Sequence, residues 1–597
     1  MGGSERGRPM DDTTRRELPP AQPGAPDYPT LLRTASWDRV RQDLAPLPGG
    51  RSLNIAHQAV DRHVDEGRGE VVALRCVAAD GTTTRVTYAD LRRETNRFAH
   101  LLGELGVARG DRLVSLLGRQ HEQYVVCLGT LKAGAVFCPL FSSFGPDPIR
   151  ERLLRSRASV LVTTESLYRR KVAAMRDDLP HLRHVVLVGP SGAAEGPGLI
   201  GFDEAVARQP GEYDVARTEP SDPALLHFTS GTTGQPKGAV HVHEAVVAQR
   251  LSAELALDLH PGDVFWCTAD PGWVTGTSYG IVAPLVVGAT VVSFAGEFEA
   301  QVWYRILAEQ RVTVWYTAPT ALRMLMRYGT DLPRSHDLSA LRHVASVGEA
   351  LNPEVVAWGA EVLGLPIHDN WWQTETGSIM ISNYPGMPIR PGSMGRPVPG
   401  VDAAVLALGE DGRARVQDGV LPAAVGQTGE LALRAGWPSM FRTYLDDEER
   451  YRACFADGWY LSGDLAALDE DGYVWFVGRA DDVIKSAGHL IGPFEVESVL
   501  LEHPEVVEAG VIGMPDELAG EVVRAYVTVR SGSTADDHLR RDLVAFSRRR
   551  LGGLAPKDIV FDEHLPHNSS GKVMRRVLKA RALGLPEGDL STLERQP

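Results

Sequence analysis

Short apolar runs alternate with amphipathic stretches along residues 54–316, and this alternation constrains the fold of the 597-residue chain most. The run at 71–77 precedes a Tyr88-led stretch in which Leu91, Phe98, Leu101 and Leu102 fall on one helical face. Apolar runs at 112–117 and 135–139 flank a helical stretch at 120–132. The pattern repeats at 149–157, 160–163, 182–188 and 202–208, then at 264–267, 281–294, 303–309 and 312–316. Strands alternating with helices build layered α/β domains on largely parallel sheets. A chain of this length exceeds what one hydrophobic core organises, so several structural units follow.

The pattern changes twice. Residues 394–471 carry short strands at 403–407 and 429–433, with a third following at 474–476, broken by Gly, Asp and Pro turns, which reads as an antiparallel β subdomain. Beyond it, strands at 506–512, 522–529 and 559–561 with a helix at 539–550 form a compact α+β unit. A boundary falls between Gly478 and Asp482. At the other end, residues 1–30 are rich in Gly, Pro, Arg and Asp, and are expected to be disordered. The expected division is a tail over 1–30, a large domain over 31–480 and a small domain over 481–597.

Lys and Arg number 62 against 77 Asp and Glu, a net charge of −15. That balance argues against nucleic-acid or anionic-membrane partners and leaves room for a local basic pocket holding a polyanion. The five cysteines, at 76, 127, 138, 267 and 454, match neither a metal-ligand spacing nor a disulfide framework. With no signal peptide or apolar span legible, a cytoplasmic location is expected. Monomer and homo-oligomer both stay open.

The chemistry concentrates around residues 225–245, LLHFTSGTTGQPKGAVHVHEA. Gly231, Gly234 and Gly238 let the backbone approach a ligand, while Thr229, Ser230, Thr232, Thr233 and Lys237 supply donors. This suits a phosphate cradle between a strand and a helix-compatible segment starting near His243. It is not a Walker A loop, because Lys237 precedes Gly238 rather than a hydroxyl residue. The plainer alternative is a surface loop. Polar clusters end the runs at 266–276, 314–323, 344–354 and 368–377, where α/β proteins place ligands. In the last, HDNWWQTETG, Trp371 and Trp372 read either as core or as a binding wall beside a polar run. Asp464 closes GWYLSGD just after a strand. Lys572 sits on a Ser-Ser-Gly loop, and local sequence fits both a solvated charge and a lysine that swings into a polyphosphate or carboxylate site.

Five ordered motifs, SGTTGQPKG (230–238), NWWQTETG (370–377), YLSGD (460–464), GRADDVIK (478–485) and SGKVMRR (570–576), resemble those of the adenylate-forming, acyl-activating enzymes. Within that superfamily the chain is most similar to the acetate-activating branch of short bacterial type. The resemblance covers roughly residues 50–590 and implies two half-reactions: ATP and a carboxylate give an acyl-adenylate and pyrophosphate, then coenzyme A takes the acyl group and AMP leaves. It implies that Thr229, Ser230, Gly231, Thr232, Thr233, Gly234, Lys237 and Gly238 grip the β,γ-phosphates. Gly348, Glu349 and Ala350 would flank the adenine, with Asp369, Asn370, Trp371 and Gln373 also in the nucleotide site. Thr374 would touch the α-phosphate, Glu375 would hold Mg²⁺, Asp464 would accept the ribose hydroxyls and Arg479 would reach the ribose or phosphates. Lys572 would bridge the carboxylate and phosphate as they react. Val274, Thr275 and Trp372 would enclose the acyl group. The small domain would rotate about Asp481, bringing Gly488 to the coenzyme A channel, with Arg548 near the coenzyme A phosphate. A lysine acetyltransferase and a deacetylase acting on Lys572 are the macromolecular partners implied.

Two departures stand out. Leu490 occupies a position where the family often has arginine, and His567, Asn568 and Ser569 replace the usual basic residues before Ser-Gly-Lys. The alternatives carried forward are a propionate, medium-chain or aryl acid ligase, a nonribosomal adenylation domain and, from a different class, a non-catalytic nucleotide-binding protein.

Overall fold

The computed structural model describes residues 17–22, 24–44, 47, 52–189, 196–229, 236–416, 419–486, 489–516, 518–530, 532–568, 572–587, 590 and 593. The apolar runs of the first half form parallel strands whose residues are buried on both faces, as the all-buried VFWC and VWYT show. Ile367–Trp371, His343–Ser346, Val314–Thr317, Val264–Cys267, Thr290–Phe294 and Val72–Val77 lie side by side in that order, all parallel. The antiparallel strand Thr83–Thr87 closes this edge. Helices cover the strands as their patterning dictates. Tyr88–Glu104 begins in a capping box of Thr87 and Asp90 and buries Leu91, Phe98, Leu101 and Leu102.

The antiparallel region is not a separate sheet. Ile367–Trp371 pairs antiparallel with Ile381–Ser382, and the ladder runs on through Ser393–Pro397, Val474–Arg479, Trp459–Leu468, Gly429–Arg434 and Ala403–Leu406. Among the described residues the parallel and antiparallel parts make one 14-stranded sheet. A second sheet, of eight strands among the described residues, includes Val136–Pro139, Pro223–Thr229, Lys237–Val242 and the short Thr443–Tyr444.

Two local differences from the sequence reading have physical reasons. The segment after the glycine-rich loop does not pass directly into a helix: Lys237–Val242 folds back as a strand antiparallel to Pro223–Thr229, and the helix starts at Ala245. Gly238 fits this strand because a β-carbon there would meet Leu226 Cδ1 at 2.9 Å. The packed chain also starts earlier than residue 31. Leu18 exchanges backbone hydrogen bonds with Ile389, and Tyr28 stacks on Tyr384 with centroids 5.7 Å apart. Asp27 caps the helix Tyr28–Thr34.

Past Arg479 the chain leaves the large sheet. Among the described residues Ile484–Ser486 belongs to a five-stranded sheet with His489–Ile491, Gly520–Val529, Val506–Asp516 and Asp558–Phe561. Its core of Val496, Leu500, Val511, Val523 and Leu543 is separate from those of the large sheets. The small unit docks on the large one through polar contacts, among them Asn352 Nδ2 to Ser498 Oγ at 2.8 Å.

Candidate active site

A cavity of about 680 Å³ opens where the ends of the parallel strands, the antiparallel region and the small unit meet. Ile367–Trp371 ends at its floor. The turn that follows, residues 373–377, is held by backbone acceptors rather than by regular structure. Thr376 O accepts from Trp437 Nε1 at 2.9 Å and Ser439 Oγ at 2.7 Å, and Glu375 O accepts from Phe441 N at 3.0 Å. Gly377 takes φ +72°, and a β-carbon there would come within 2.3 Å of Ser439 O. The turn thus presents Gln373, Thr374 and Glu375 to the cavity on a fixed frame.

Asp464 is 4% exposed, and its Oδ2 accepts from Trp371 Nε1 and Gln373 Nε2, both at 2.8 Å. Oδ1 has no hydrogen-bond partner among the described residues, and Arg479 Nη1 forms an ion pair with it at 3.2 Å. Burial pushes this carboxyl upwards, opposed by the charges of Arg479 and Lys572. A buried acceptor facing a cavity, with one oxygen ion-paired but accepting no hydrogen bond, suits a ligand hydroxyl. Arg479 in turn contacts Asp481 at 3.4 Å, so Asp481 stands at the junction of the two units and on the cavity wall.

Gly348 takes φ +96°, and a β-carbon on it would lie 2.3 Å from Trp273 Cη2, so the backbone of 348–350 runs tight against an indole. Glu349 is committed to Thr320 Oγ1 at 2.6 Å and Arg323 Nη2 at 2.9 Å, which leaves the flat backbone of Gly348 and Ala350 as the surface offered to a planar ring. Burial pushes the Asp369 carboxyl up to about 7; it accepts from Ser346 Oγ at 2.8 Å. Asn370 accepts from Tyr316 OH at 2.9 Å.

Trp372 donates from Nε1 to Tyr316 OH at 3.2 Å and meets Tyr279 edge-on, with centroids 5.2 Å apart at 73°. Its indole lines the cavity together with the buried Val274 and Thr275. Each of the tandem tryptophans packs against a core cluster, and each also lines the cavity.

Two cations arrive from opposite sides. Lys237 opens its strand, with Nζ 5.5 Å from the centroid of Tyr444. Lys572 comes from the small unit and lines the cavity; its loop is closed by Asn568 N donating to Lys572 O and Lys572 N donating to Asn568 Oδ1, each 2.9 Å. Arg575, one turn on, is fixed by Glu497 at 2.8 and 2.5 Å.

Other expected residues fall elsewhere. Ser230, Gly231, Thr232, Thr233, Gly234 and Gly488 lie outside the described residues. Thr229 ends its strand and Gly238 is buried, and neither lines the cavity. Arg548, on the helix Asp537–Leu551, is exposed and also stands away from it. Tyr444, Tyr460, Trp273, Arg323 and Arg575 are cavity residues that sequence reasoning missed. Tyr460, which donates to Gln373 Oε1 at 2.7 Å, and Arg575 stand inside quoted motifs, and Trp273 and Arg323 inside polar clusters that end strands; Tyr444 alone of the five lies in none of them.

A polyanion and a planar ring thus have complementary surfaces in one cavity, and the matching family model is the AMP-binding enzyme, over residues 60–445. The model of the AMP-binding enzyme C-terminal domain matches residues 495–572. The chain is 46% identical over 571 residues to the acetyl-coenzyme A synthetase of Bacillus subtilis (strain 168), covering 95% of this chain and 97% of that one. It is 39% identical to the acetyl-coenzyme A synthetase of Methanothrix thermoacetophila, over 91% and 85% of the two chains. Among solved structures, a Brucella canis acyl-CoA synthetase superposes with a TM-score of 0.71 at 33% identity, over 93% of this chain and 99% of that one. An anthranilate CoA ligase in complex with anthranoyl-AMP gives a TM-score of 0.80 at 28% identity, over 92% and 99%. The chain belongs to the adenylate-forming acyl-CoA synthetases and is closely related to the bacterial acetyl-CoA synthetases. It is accordingly an AMP-forming acid–thiol ligase that uses ATP and coenzyme A.

Proposed function

We propose that the acid is acetate: ATP, acetate and coenzyme A give acetyl-CoA, AMP and pyrophosphate through acetyl-adenylate. The observation that carries this reading is Trp372, pinned between Tyr316 and Tyr279 on the cavity wall. Attraction discriminates weakly among small acids, since a methylene contributes only about 1–3 kcal/mol. A wall that cannot move aside rejects longer ones more sharply. The names of the two acetyl-coenzyme A synthetases agree with acetate.

In the first half-reaction an acetate oxygen forms a bond to the α-phosphorus while the bond from that phosphorus to the bridging oxygen breaks, and pyrophosphate leaves. Anion meets anion, so the site must offset charge and align the attack. Lys572 and Thr374 serve the α-phosphate and the incoming carboxylate, and Lys237 serves the departing phosphates. Asp464 and Arg479 hold the ribose, and the backbone of Gly348 and Ala350 the adenine. In the second half-reaction the coenzyme A thiol loses its proton to solvent, its sulfur attacks the acetyl carbonyl carbon, the carbon–oxygen bond to phosphate breaks and AMP leaves. Rotation of the small domain about Asp481 would exchange the walls between the two steps.

The donor set also fits Mg²⁺. Glu375 offers a carboxylate on the wall, and among the described residues no group of three or more His, Cys, Asp or Glu side chains forms a dedicated cage. One carboxylate plus substrate phosphates is the usual arrangement for that ion, which neutralises phosphate charge when bound. Acetylation of Lys572 would switch off the first half-reaction by removing its charge. A cytoplasmic location accords with ATP and coenzyme A as substrates; among the described residues no helix is long and apolar enough to cross a membrane.

The test is coenzyme A-dependent AMP release across straight-chain acids from two to eight carbons. A maximum at two carbons supports the reading. A maximum at three transfers it to propionate, and one at four or more removes Trp372 as the limiting wall.

A further inference from the structure

We infer that Tyr444 is a positioning residue that ties the metal end of the nucleotide site to the phosphate-binding lysine, by holding Glu375 through its hydroxyl and Lys237 over its ring. This rests on the reading of Glu375 and Lys237 just given. The residue belongs to none of the sequence motifs, and its place follows from backbone pairing. Thr443–Tyr444 lies antiparallel along Lys237–Val242, with Tyr444 opposite Ala239, and Leu445 N donates to Gly238 O at 2.7 Å. The strand that begins with Lys237 and the segment that carries Tyr444 are therefore one ladder.

From that ladder the ring, 2% exposed, packs against Phe441 and reaches both charged groups. Its hydroxyl donates to Glu375 Oε1 at 2.7 Å, and the Lys237 ammonium stands 5.5 Å from its centroid. Phe441 N holds the Glu375 carbonyl, so one five-residue stretch, 441–445, fixes both ends of Glu375. A carboxylate oxygen can only accept, so the phenol is the donor in this contact. A carboxylate that accepts one hydrogen bond at Oε1 has its rotamer set and can still present Oε2 to a cation. The ring face attracts the ammonium and limits where it can go. The two contacts use different parts of the side chain and can be separated by substitution.

The test uses Tyr444→Phe and Tyr444→Leu in the full chain, with Glu375→Gln alongside. Two quantities are read: the Mg²⁺ concentration for half-maximal carboxylate-dependent ATP–pyrophosphate exchange, and calorimetric affinities for ATP in EDTA and for AMP. Tyr444→Phe keeps the ring, so the Mg²⁺ requirement should rise about tenfold, the scale of one hydrogen bond to a charged group, with metal-free ATP affinity retained. Tyr444→Leu should raise the Mg²⁺ requirement similarly and also weaken metal-free ATP by about threefold, the scale of one cation–π contact. AMP affinity, which involves no β,γ-phosphate, should hold in both.

An unchanged Mg²⁺ requirement in Tyr444→Phe, with a raised one in Glu375→Gln, overturns the tether while leaving Glu375 as the ligand. An unchanged requirement in Glu375→Gln overturns the ligand reading and the inference with it. Equal losses of ATP and AMP affinity in Tyr444→Leu would mark the ring as general packing and overturn the link to Lys237.

Discussion

Trp372 shows how one side chain can serve core and site together. Its indole packs on the main core cluster while one face lines the cavity, so the local sequence could not separate the two roles. Substitution can. Trp372→Gly should lose acetate turnover and gain activity on acids of about four to six carbons, because the freed volume admits several methylenes of about 1–3 kcal/mol each. The same change removes a large part-buried ring and should cost about 3–5 kcal/mol of stability. Rates must therefore be compared on protein shown to be folded by its thermal transition. Parallel rate profiles for the two enzymes across acid length would contradict the wall.

At the scale of elements, the alternation of apolar runs made the parallel layers legible, because strands buried on both faces need continuous hydrophobic stretches. The strand Lys237–Val242 was hidden by its composition: Lys and Gly open it, both poor strand formers, and its pairing depends on a partner across a loop. Thr443–Tyr444 was illegible for a related reason, since two residues carry no periodicity and the register comes from the neighbour. The docking of the helices Pro353–Trp358 and Pro493–Leu501 is likewise a tertiary event. It brings the half-buried Glu354 beside Glu502, which also meets Arg550. Burial, with the Glu502 charge adding to it, pushes Glu354 up to about 7 from an ordinary 4.5. Undocking would return the carboxyl to water and to its ordinary value. The docked arrangement therefore binds the proton more tightly: its contribution is full below about 4.5 and is lost as pH rises through about 7. Limited proteolysis near residues 479–484 should accelerate over that window. In Glu354→Gln, neutral at every pH, the acceleration should shrink; an unchanged pH dependence would place its origin elsewhere.

At the scale of the molecule, the motifs are far apart in sequence and converge because the large sheet is continuous and the second sheet and the small unit border the same cavity. The turn after Ile367–Trp371 and Asp464 on Trp459–Leu468 meet through the antiparallel strands between them, and Lys572 is delivered by a separately folded unit. The motifs pointed to many of the residues that line the cavity, but Tyr444, which belongs to none of them, and the spatial arrangement were not legible. For Lys572 the sequence was evenly poised between a solvated tail charge and a site residue; the docked small unit places it on the cavity wall. The central claim is that this lysine acts in the first half-reaction from the docked arrangement and is dispensable in the second. Lys572→Ala should lower acetate-dependent ATP–pyrophosphate exchange by about 100-fold or more, the scale of one lost transition-state contact of about 3 kcal/mol. Acetyl-CoA formation from supplied acetyl-adenylate and coenzyme A, measured on the same protein, should stay within about tenfold of the parent, since that step makes no use of the contact. Equal loss of both half-reactions, or survival of the first, would contradict the account.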